Sequence, residues 1–186
     1  MTKFKFIRKE NIMNIKWHKL NPKAKIPTKR DEDAGFDIYT VEEEVLLMPL
    51  EKHLFGTGLA AAAEPGWWLL AFDRGSTGSH GIHTHCGVID NGYRGEIFIC
   101  LCNDNPFPVK FTNKVIKPVF ATADFYFDKD GKECCGEILY YPISKGIAQI
   151  IPIPQPTVVS EVVDDDEWDK YCNTTRGETK LGASGK

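Results

Sequence analysis

The stretch Gly87-Val88-Ile89-Asp90-Asn91-Gly92-Tyr93-Arg94-Gly95 carries the clearest structural signal in this chain. Asn-Gly between apolar residues is the strongest short-range sign of a β-hairpin, because a type I′ turn needs positive φ at both central positions. We therefore predict a tight hairpin at Asp90-Asn91-Gly92-Tyr93. A carboxylate held beside a fixed turn suits the activation of water, so Asp90 is a candidate catalytic residue. Its plainer interpretation is the first residue of the turn, where Asp is common.

The sequence on both sides of this stretch has an all-β pattern. Sixteen glycines and eleven prolines separate short runs rich in β-branched and aromatic residues, which is typical of strands joined by turns. Strands are predicted at Ile15–His18, Phe36–Thr40, Val45–Met48, Trp67–Phe72, Glu96–Cys102, Lys114–Phe127, Ile138–Tyr141 and Ala148–Ile153. Many short strands with regular turns favour a barrel or jelly roll. The sequence allows one or two acidic helical turns within Val159–Tyr171.

Length, charge and cysteine content exclude several classes of protein. The 186 residues suffice for one domain with a substantial core. A net charge of −3 argues against a dedicated nucleic-acid binder, since such affinity comes largely from phosphate neutralisation. No apolar run approaches the roughly 20 residues that span a bilayer, and Met1–Glu10 lacks the apolar stretch of a secretory signal. The six cysteines are expected as thiols in a reducing cytoplasm, or in the host cytoplasm if the chain is viral.

Four regions are predicted along the chain. Residues 1–12 are a leader or flexible N-terminus, and residues 13–153 form the barrel. Residues 154–174 are proline-rich and then acidic, which indicates a linker, and residues 175–186 form a Gly-rich terminus. Within the barrel, Asp128–Glu137 is rich in turn residues and is predicted to form the tip of a hairpin.

Five short segments, taken in order, resemble the motifs of the homotrimeric dUTPase family. They are Asp33-Ala34-Gly35-Phe36-Asp37, Arg74-Gly75-Ser76, Gly87 to Gly95, Ile147-Ala148-Gln149, and Arg176-Gly177 with Leu181 to Gly185. The resemblance implies a jelly-roll-like β-barrel that forms a homotrimer and hydrolyses dUTP to dUMP and pyrophosphate by water attack on the α-phosphate. Such a reaction limits uracil in DNA and supplies dUMP for thymidylate synthesis. The resemblance also implies Mg²⁺ bound through the substrate phosphates, without a direct protein ligand.

The resemblance assigns the uracil, the sugar and the reacting water to the third segment. Asp90 matches the aspartate that orients the attacking water. Backbone groups of Gly87, Val88 and Ile89 would pair with the uracil edge, where cytosine would leave buried groups unpaired. Tyr93 would pack under the deoxyribose and exclude a 2′-hydroxyl, although an ordinary strand aromatic fits the same pattern.

The phosphate contacts are expected in the second and fourth segments. Arg74 in a Gly/Ser turn offers charge-assisted N–H groups and backbone amides that suit phosphate oxygens, although a surface arginine has the same pattern. By resemblance, Gly75 stands in place of a serine and removes one hydroxyl contact, while Ser76 remains. Gln149 would donate an amide N–H to a phosphate.

Three further positions are expected to shape the site indirectly. By resemblance, Asp37 braces the site by hydrogen bonding, and the small residues before it allow close backbone approach. Arg94 is expected to give structural support. Gly146 stands where many relatives have arginine, so a second polar contact is expected to be lost there.

The Gly-rich terminus is expected to close as a lid over the nucleotide, provided by a neighbouring subunit. By resemblance, Arg176 with Gly177 reaches the γ-phosphate, and Leu181 with Gly182 covers the uracil. Relatives commonly have phenylalanine in place of Leu181, so the lost aromatic stack weakens closure by roughly 0.5–1.5 kcal/mol. A P-loop is excluded, since no Lys-Ser/Thr pair follows the second glycine. A disordered terminus is the plainer alternative.

A zinc site is the weaker interpretation of the histidine-rich segment. The segment contains His80, His83, His85 and Cys86, but no second ligand cluster follows at the spacing of zinc sites. Packing or surface positions are favoured for these side chains and for the remaining thiols.

Two alternative functions stay open. A dCTP deaminase shares this fold and part of the motif set, but it needs a catalytic glutamate and is not expected to have the Tyr93 signature. A regulatory protein that binds a protein partner under nucleotide control is the other alternative. Asp90 and Gln149 are 59 positions apart, which is more than a compact family member needs. The excess lies in residues 114–141, which are a candidate partner surface.

Overall fold

The chain folds as an all-β protein, which confirms the sequence-based prediction. The structure is a computed structural model that describes residues 13–172 and 174, without the side chains of residues 120–122. Its strands are β1 Ile15–Lys19, β2 Phe36–Ile38, β3 Glu44–Leu47, β4 Lys52–Gly56, β5 Leu59–Ala63, β6 Trp67–Phe72, β7 Ile82–His85, β8 Val88–Ile89, β9 Phe98–Asn103, β10 Val109–Thr112, β11 Val119–Phe127, β12 Glu133–Pro142 and β13 Ala148–Pro154. The helices are single turns, α1 Gly75–Gly78 and α2 Asp165–Trp168, and a 3-10 turn spans Ile143–Lys145.

The strands pair in four small sheets within the described residues, as in a jelly-roll-like barrel. Their orders are β1-β5, β11-β12-β10-β3, β2-β13-β6-β8 and β4-β9-β7. Strands β10 and β12 are parallel, and the other neighbours are antiparallel. Aromatic side chains from two sheets meet in the core. Phe111 packs edge-on against Phe55, with ring centroids 4.8 Å apart, and against Tyr141 at 5.5 Å. All three are fully buried.

Each of the eight predicted strand segments overlaps a strand, but five further strands were not predicted. The unpredicted strands are β4, β5, β7, β8 and β10. Strand β5 is Leu-Ala-Ala-Ala-Ala, and alanine is depleted in strands when judged by propensity alone. Its antiparallel pairing with β1 along all five residues and the burial of Leu59, Ala60 and Ala61 fix it in the sheet. Tertiary context therefore outweighs the weak local preference.

The predicted type I′ hairpin at Asp90–Tyr93 is wrong. A turn does form, since Tyr93 N donates to Asp90 O at 3.0 Å, but neither Asn91 nor Gly92 has a positive φ. Strand β8 pairs with β6 and not with the segment that follows the turn. The Asn91 side chain gives the physical reason. Its Nδ2 lies 2.6, 2.9 and 3.2 Å from three backbone carbonyl oxygens around the β5–β6 connection, so long-range hydrogen bonds hold the turn.

Strands β11 and β12 form the longest hairpin. The predicted tip is confirmed for residues 128–132, whereas residues 133–137 of the predicted segment belong to β12. At the tip, Asp128 N donates to Lys132 O, and Gly131 N donates to Asp128 O, both at 3.0 Å. Gly131 has φ +76°, which glycine adopts at little cost. Strand β11 begins at Val119 and not at the predicted Lys114, because the turn after β10 continues to Pro118, which has no N–H to donate to a ladder.

The chain divides into two compact units, the first ending at Gln155 and the second beginning at Pro156. The first unit holds all the strands named above. In the described part of the second, Asp164 is the N-cap residue of α2, and its carboxylate accepts from Glu167 N at 2.9 Å. The acidic helical turn expected within Val159–Tyr171 is therefore present. None of the described helices has the length and apolar character needed to cross a membrane.

Candidate active site

Most of the predicted site residues of the first unit lie in two separate cavities. The first, called here the Arg74 cavity, has a volume of about 470 Å³ and includes Asp37, Arg74, Gly75, Ser76 and Gln149 in its lining. The second, called here the Asp90 cavity, has a volume of about 260 Å³ and includes Val88, Ile89, Asp90 and Tyr93. The structure thus groups the candidates into two sets.

Strand β6 keeps the two cavities apart. Ile89 pairs with Leu69, so Asp90 follows toward the start of β6, opposite Trp68. Arg74 lies two residues beyond Phe72, where β6 ends. At about 3.3 Å per residue, the strand carries Phe72 about 13 Å from Trp68 before Arg74 is reached. Asp90 and Arg74 of one chain therefore do not face a common cavity.

Arg74 is held by contacts that use four of its five N–H groups. Its Nε and Nη2 donate to the two carboxylate oxygens of Asp37 at 2.7 and 2.8 Å, the paired geometry that favours arginine over lysine. Nη1 donates to Ser76 Oγ at 3.2 Å and to Gly146 O at 3.1 Å. Burial opposes the charge, but the hydrogen bonds and the charge of Asp37 outweigh it, so the pKa of Arg74 is raised.

Gly146 contributes through its backbone, which the sequence interpretation did not foresee. Its carbonyl oxygen accepts from Arg74, so this position keeps one polar contact although it has no side chain. Its φ of +74° with ψ of 138° lies outside the regions that L residues adopt readily. Glycine is therefore the residue that presents this carbonyl to Arg74.

The Gln149 side chain is placed by a neighbouring glycine and a backbone oxygen. A Cβ added at Gly35 would lie 2.5 Å from Gln149 Oε1, so the missing side chain makes room for the amide. Gln149 Nε2 donates to Asp73 O at 2.6 Å, and its second N–H is left for a ligand. The Asp73 carboxylate accepts from His83 Nδ1 at 2.9 Å and from Thr84 N at 2.5 Å. Burial opposes its charge, and these two bonds outweigh it, so the pKa of Asp73 is lowered.

Three charged residues of the Arg74 cavity were not predicted as ligand contacts, namely Arg30, Glu32 and Asp33. Arg30 donates from Nε and Nη2 to the Asp33 carboxylate at 3.0 and 2.9 Å. These bonds, above all, lower the pKa of Asp33 to about 2. These three residues stand just before Ala34-Gly35 in the sequence, and that position was the signal that could have indicated them as cavity residues.

Position 87 requires glycine. The hydrogen bond that Gly87 makes to β6 also indicates which backbone groups of β8 are free. Gly87 O accepts from Ala71 N at 2.7 Å, and a Cβ at Gly87 would lie within 2.5 Å of Ala71 O. Hydrogen-bonded and open pairs alternate along an antiparallel ladder, so the next pair, Leu70 with Val88, is open. The N–H and C=O of Val88 thus point away from β6, at the edge of the sheet.

The turn after β8 leaves the Asp90 carboxylate unpaired among the described residues, at an exposed position. Tyr93 lies beside it in the same cavity, and its hydroxyl donates to Glu96 O at 2.9 Å. The phenol passes close to Gly95, where an added Cβ would lie 2.5 Å from Tyr93 Oη. Arg94 Nη1 donates to the carbonyl oxygens of Asn91 and Tyr93, so it braces the turn that presents Asp90.

The remaining candidates are the terminal residues and the histidines. Arg176, Gly177, Leu181 and Gly182 fall outside the described residues, as do residues 1–12. Among the histidines, His83 bonds to Asp73 and His80 Nδ1 lies 2.7 Å from Ser76 O. Within the described residues, no group of three or more His, Cys, Asp or Glu side chains is placed to hold a metal ion.

Comparison with known proteins gives consistent matches. A family model described as dUTPase matches residues 21–123. The deoxyuridine 5'-triphosphate nucleotidohydrolase of Nautilia profundicola is 38% identical over 119 residues, which cover 59% of this chain and 80% of the relative. That of Nocardia farcinica is 40% identical over 97 residues, 50% of this chain and 58% of the relative.

A solved structure agrees over nearly the whole chain. The dUTPase of Staphylococcus bacteriophage 80alpha with dUPNHPP has a TM-score of 0.65 and 26% identity, and the match covers 95% of this chain and 99% of that one. Phage dUTPases such as that protein control transfer of virulence genes by a proto-oncogenic G protein-like mechanism. The all-β fold and these matches define the class, a nucleoside triphosphate hydrolase with an aspartate cavity and an arginine cavity toward opposite ends of β6. The chain belongs to the dUTPase family.

Proposed function

We propose that this chain hydrolyses dUTP to dUMP and pyrophosphate, with Asp90 activating the water that attacks the α-phosphate. Family membership supports the reaction. The observation that carries the assignment of the base is the free Asp90 carboxylate, which lies in one cavity with Tyr93 and the open edge of β8. Pyrophosphate release from dUTP, compared with dCTP and UTP, tests it. Comparable turnover of all three nucleotides would contradict it.

Recognition of the base is assigned to the open edge of β8. The Val88 N–H and C=O, which point away from β6, match the acceptor and donor of a uracil edge. A cytosine edge has the donor and acceptor exchanged and would leave both groups unpaired, which can be worth several powers of ten in discrimination. The Gly87 carbonyl is not assigned to the base, since it already accepts a hydrogen bond from Ala71 N. The Tyr93 ring is assigned to pack under the deoxyribose.

The phosphates are assigned to the Arg74 cavity, where Arg74 and Gln149 each keep an N–H that no described residue accepts. The charged side chains of the lining are Arg30, Arg74, Glu32, Asp33 and Asp37, which sum to −1. A triphosphate therefore needs further positive charge. Mg²⁺ fits this requirement, and it would be held by the substrate phosphates. When bound, the ion neutralises phosphate charge.

The two cavities support an oligomeric enzyme. One chain cannot present its own Asp90 to a nucleotide held by its own Arg74, because β6 lies between them. We propose a homotrimer in which Asp90 of one copy faces the Arg74 cavity of another, since closed cyclic assembly gives each copy the same contact. The terminal segment with Arg176 and Leu181 is proposed to complete each site from a neighbouring copy.

A second candidate function is regulatory, and one surface favours it. On the β11–β12 hairpin, Phe125 and Phe127 are 69% and 63% exposed on one face of the strand, beside the exposed Cys135 that pairs with Phe125. Clustered exposed aromatics mark interaction sites more often than scattered ones do. We propose this face, within residues 114–141, as a surface for a protein partner. Deamination of dCTP is disfavoured, because the relatives named above are dUTP nucleotidohydrolases.

Restoring a hydroxyl at Gly75 is expected to strengthen substrate binding. A Cβ at Gly75 would meet no atom within 4 Å, so Gly75→Ser should fold with an unchanged Tm and lower KM for dUTP about threefold, within the range of one added hydrogen bond. Steady-state kinetics and thermal melting measure both. Gly87→Ala is the contrasting control, since its Cβ meets backbone oxygen and should lower Tm. A raised KM for Gly75→Ser would contradict the phosphate assignment of this turn.

Removing residues 175–186 is expected to abolish most turnover without unfolding the protein. The strands and the core described above lie before Gln155, so Tm should change little. The loss of Arg176 removes the proposed γ-phosphate contact, and kcat/KM should fall at least about a hundredfold, as for the loss of an electrostatic contact to the transition state. Arg176→Ala in the full chain is the matched variant. Normal activity of the shortened chain would remove the terminus from the site.

A further inference from the structure

The Tyr141 hydroxyl is buried in the core yet reaches the Arg74 cavity. Tyr141 is 1% exposed, and its ring packs against Phe111 in the core. Its hydroxyl lies 2.9 Å from Ser76 Oγ. Ser76 is half-buried and lines the Arg74 cavity. A polar group from the core thus contacts a residue that is assigned to phosphate binding.

The direction of this hydrogen bond follows from the available acceptors. A buried O–H requires an acceptor, and within the described residues Ser76 Oγ is the acceptor that the Tyr141 hydroxyl has in reach. Arg74 lies beside the same two hydroxyls, but a guanidinium donates and cannot accept. Tyr141 therefore donates its hydrogen to Ser76.

This direction sets what Ser76 can do. A serine oxygen accepts at most two hydrogen bonds and donates one. Arg74 Nη1 donates to it at 3.2 Å, and Tyr141 donates at 2.9 Å, so both lone pairs are occupied. The hydrogen of Ser76 is then left over on a side chain that lines the cavity.

We infer that Tyr141 is a positioning residue for the phosphate contact: its O–H fills the second lone pair of Ser76 and leaves the serine hydrogen to be donated to a phosphate oxygen. The inference rests on the proposed function, in which the Arg74 cavity binds the phosphates. In the opposite direction, Ser76 would donate to the phenol and turn lone pairs toward the anion, which repels it. The tyrosine thus selects the productive orientation before substrate arrives.

Tyr141→Phe tests this inference in the full-length protein, because it keeps the ring in the core and removes only the hydroxyl. We expect KM for dUTP to rise about tenfold, in the range of one hydrogen bond to a charged group, with kcat changed much less. Tyr140→Phe is the matched control. It removes a hydroxyl from the same strand, but that hydroxyl bonds to Asp124 in the β11–β12 hairpin, so KM should stay as in the wild type.

A double-mutant cycle with Ser76→Ala separates positioning from general stability. If Tyr141 acts through Ser76, the tenfold effect of Tyr141→Phe on KM should disappear in the Ser76→Ala background. If Tyr141→Phe acts by destabilising the core, its effect on KM should remain in that background and Tm should fall in both backgrounds. An unchanged KM for Tyr141→Phe, or its full effect in the Ser76→Ala background, would overturn the inference. An unchanged KM for Ser76→Ala would overturn both the inference and the assignment of the phosphates to the Arg74 cavity. The two outcomes for Tyr141→Phe would leave that assignment intact.

Discussion

Replacing Asp90 by asparagine is expected to lower kcat for dUTP by 10²–10⁴-fold, the usual effect of losing a positioned general base. Asparagine keeps the shape of the side chain but cannot take a proton from water. The turn should survive, because it depends on the Asp90 carbonyl oxygen, which accepts from Tyr93 N, and on the Asn91 side chain. Steady-state kinetics give kcat, and calorimetry with dUPNHPP gives the nucleotide affinity, which should change less than about threefold.

The control for this variant is an acidic residue of the other cavity. Glu32 lines the Arg74 cavity and, like Asp90, has no partner among the described residues. Glu32→Gln should therefore change the charge of the site without the large loss of kcat. Near-normal turnover by Asp90→Asn, or an equal loss in Glu32→Gln, would show that Asp90 is not the base.

The class of fold could be predicted from the sequence because it depends on local patterns. Strand β6, with its six consecutive apolar and aromatic residues, and the β11–β12 hairpin, with Gly131 at its tip, follow from short-range preferences. The turn at Asn91-Gly92 shows the limit of that reasoning. Its φ angles are set by bonds from Asn91 to carbonyl groups more than twenty positions away, which no local pattern contains.

The candidate site was predictable in its members but not in its connections. Asp37 and Arg74 could be named from two short motifs, whereas the paired contact between them spans 37 positions. The contact between Ser76 and Tyr141 spans 65 positions. From the sequence, Tyr141 cannot be distinguished from an ordinary strand aromatic. The carbonyl of Gly146 has no side-chain signal at all. Such contacts arise when strands from different sheets meet, so the sequence shows which groups are available and the fold decides which of them meet.

Two inactive variants are expected to restore activity to each other if the site is shared between copies. Co-expressed Asp90→Asn and Arg74→Gln chains with different tags would be purified so that every trimer contains both. In a cyclic trimer, each site takes Asp90 from one copy and Arg74 from the next. A mixed trimer contains two copies of one variant and one copy of the other. In both cases one of the three sites receives wild-type Asp90 and wild-type Arg74, so the mixed trimers should have about a third of the wild-type activity.

The result distinguishes the arrangements because a site within one chain predicts no recovery. Every chain in the mixture lacks one of the two residues, so intrachain sites would all stay inactive. Arg74→Gln leaves Asp37 without its cation, and removing one member of such a pair can destabilise a protein. The double variant Asp37→Asn with Arg74→Gln avoids this unpaired charge and should complement equally. Melting curves and light scattering show that each preparation is folded and trimeric, and mixed trimers as inactive as their parents would refute the shared site.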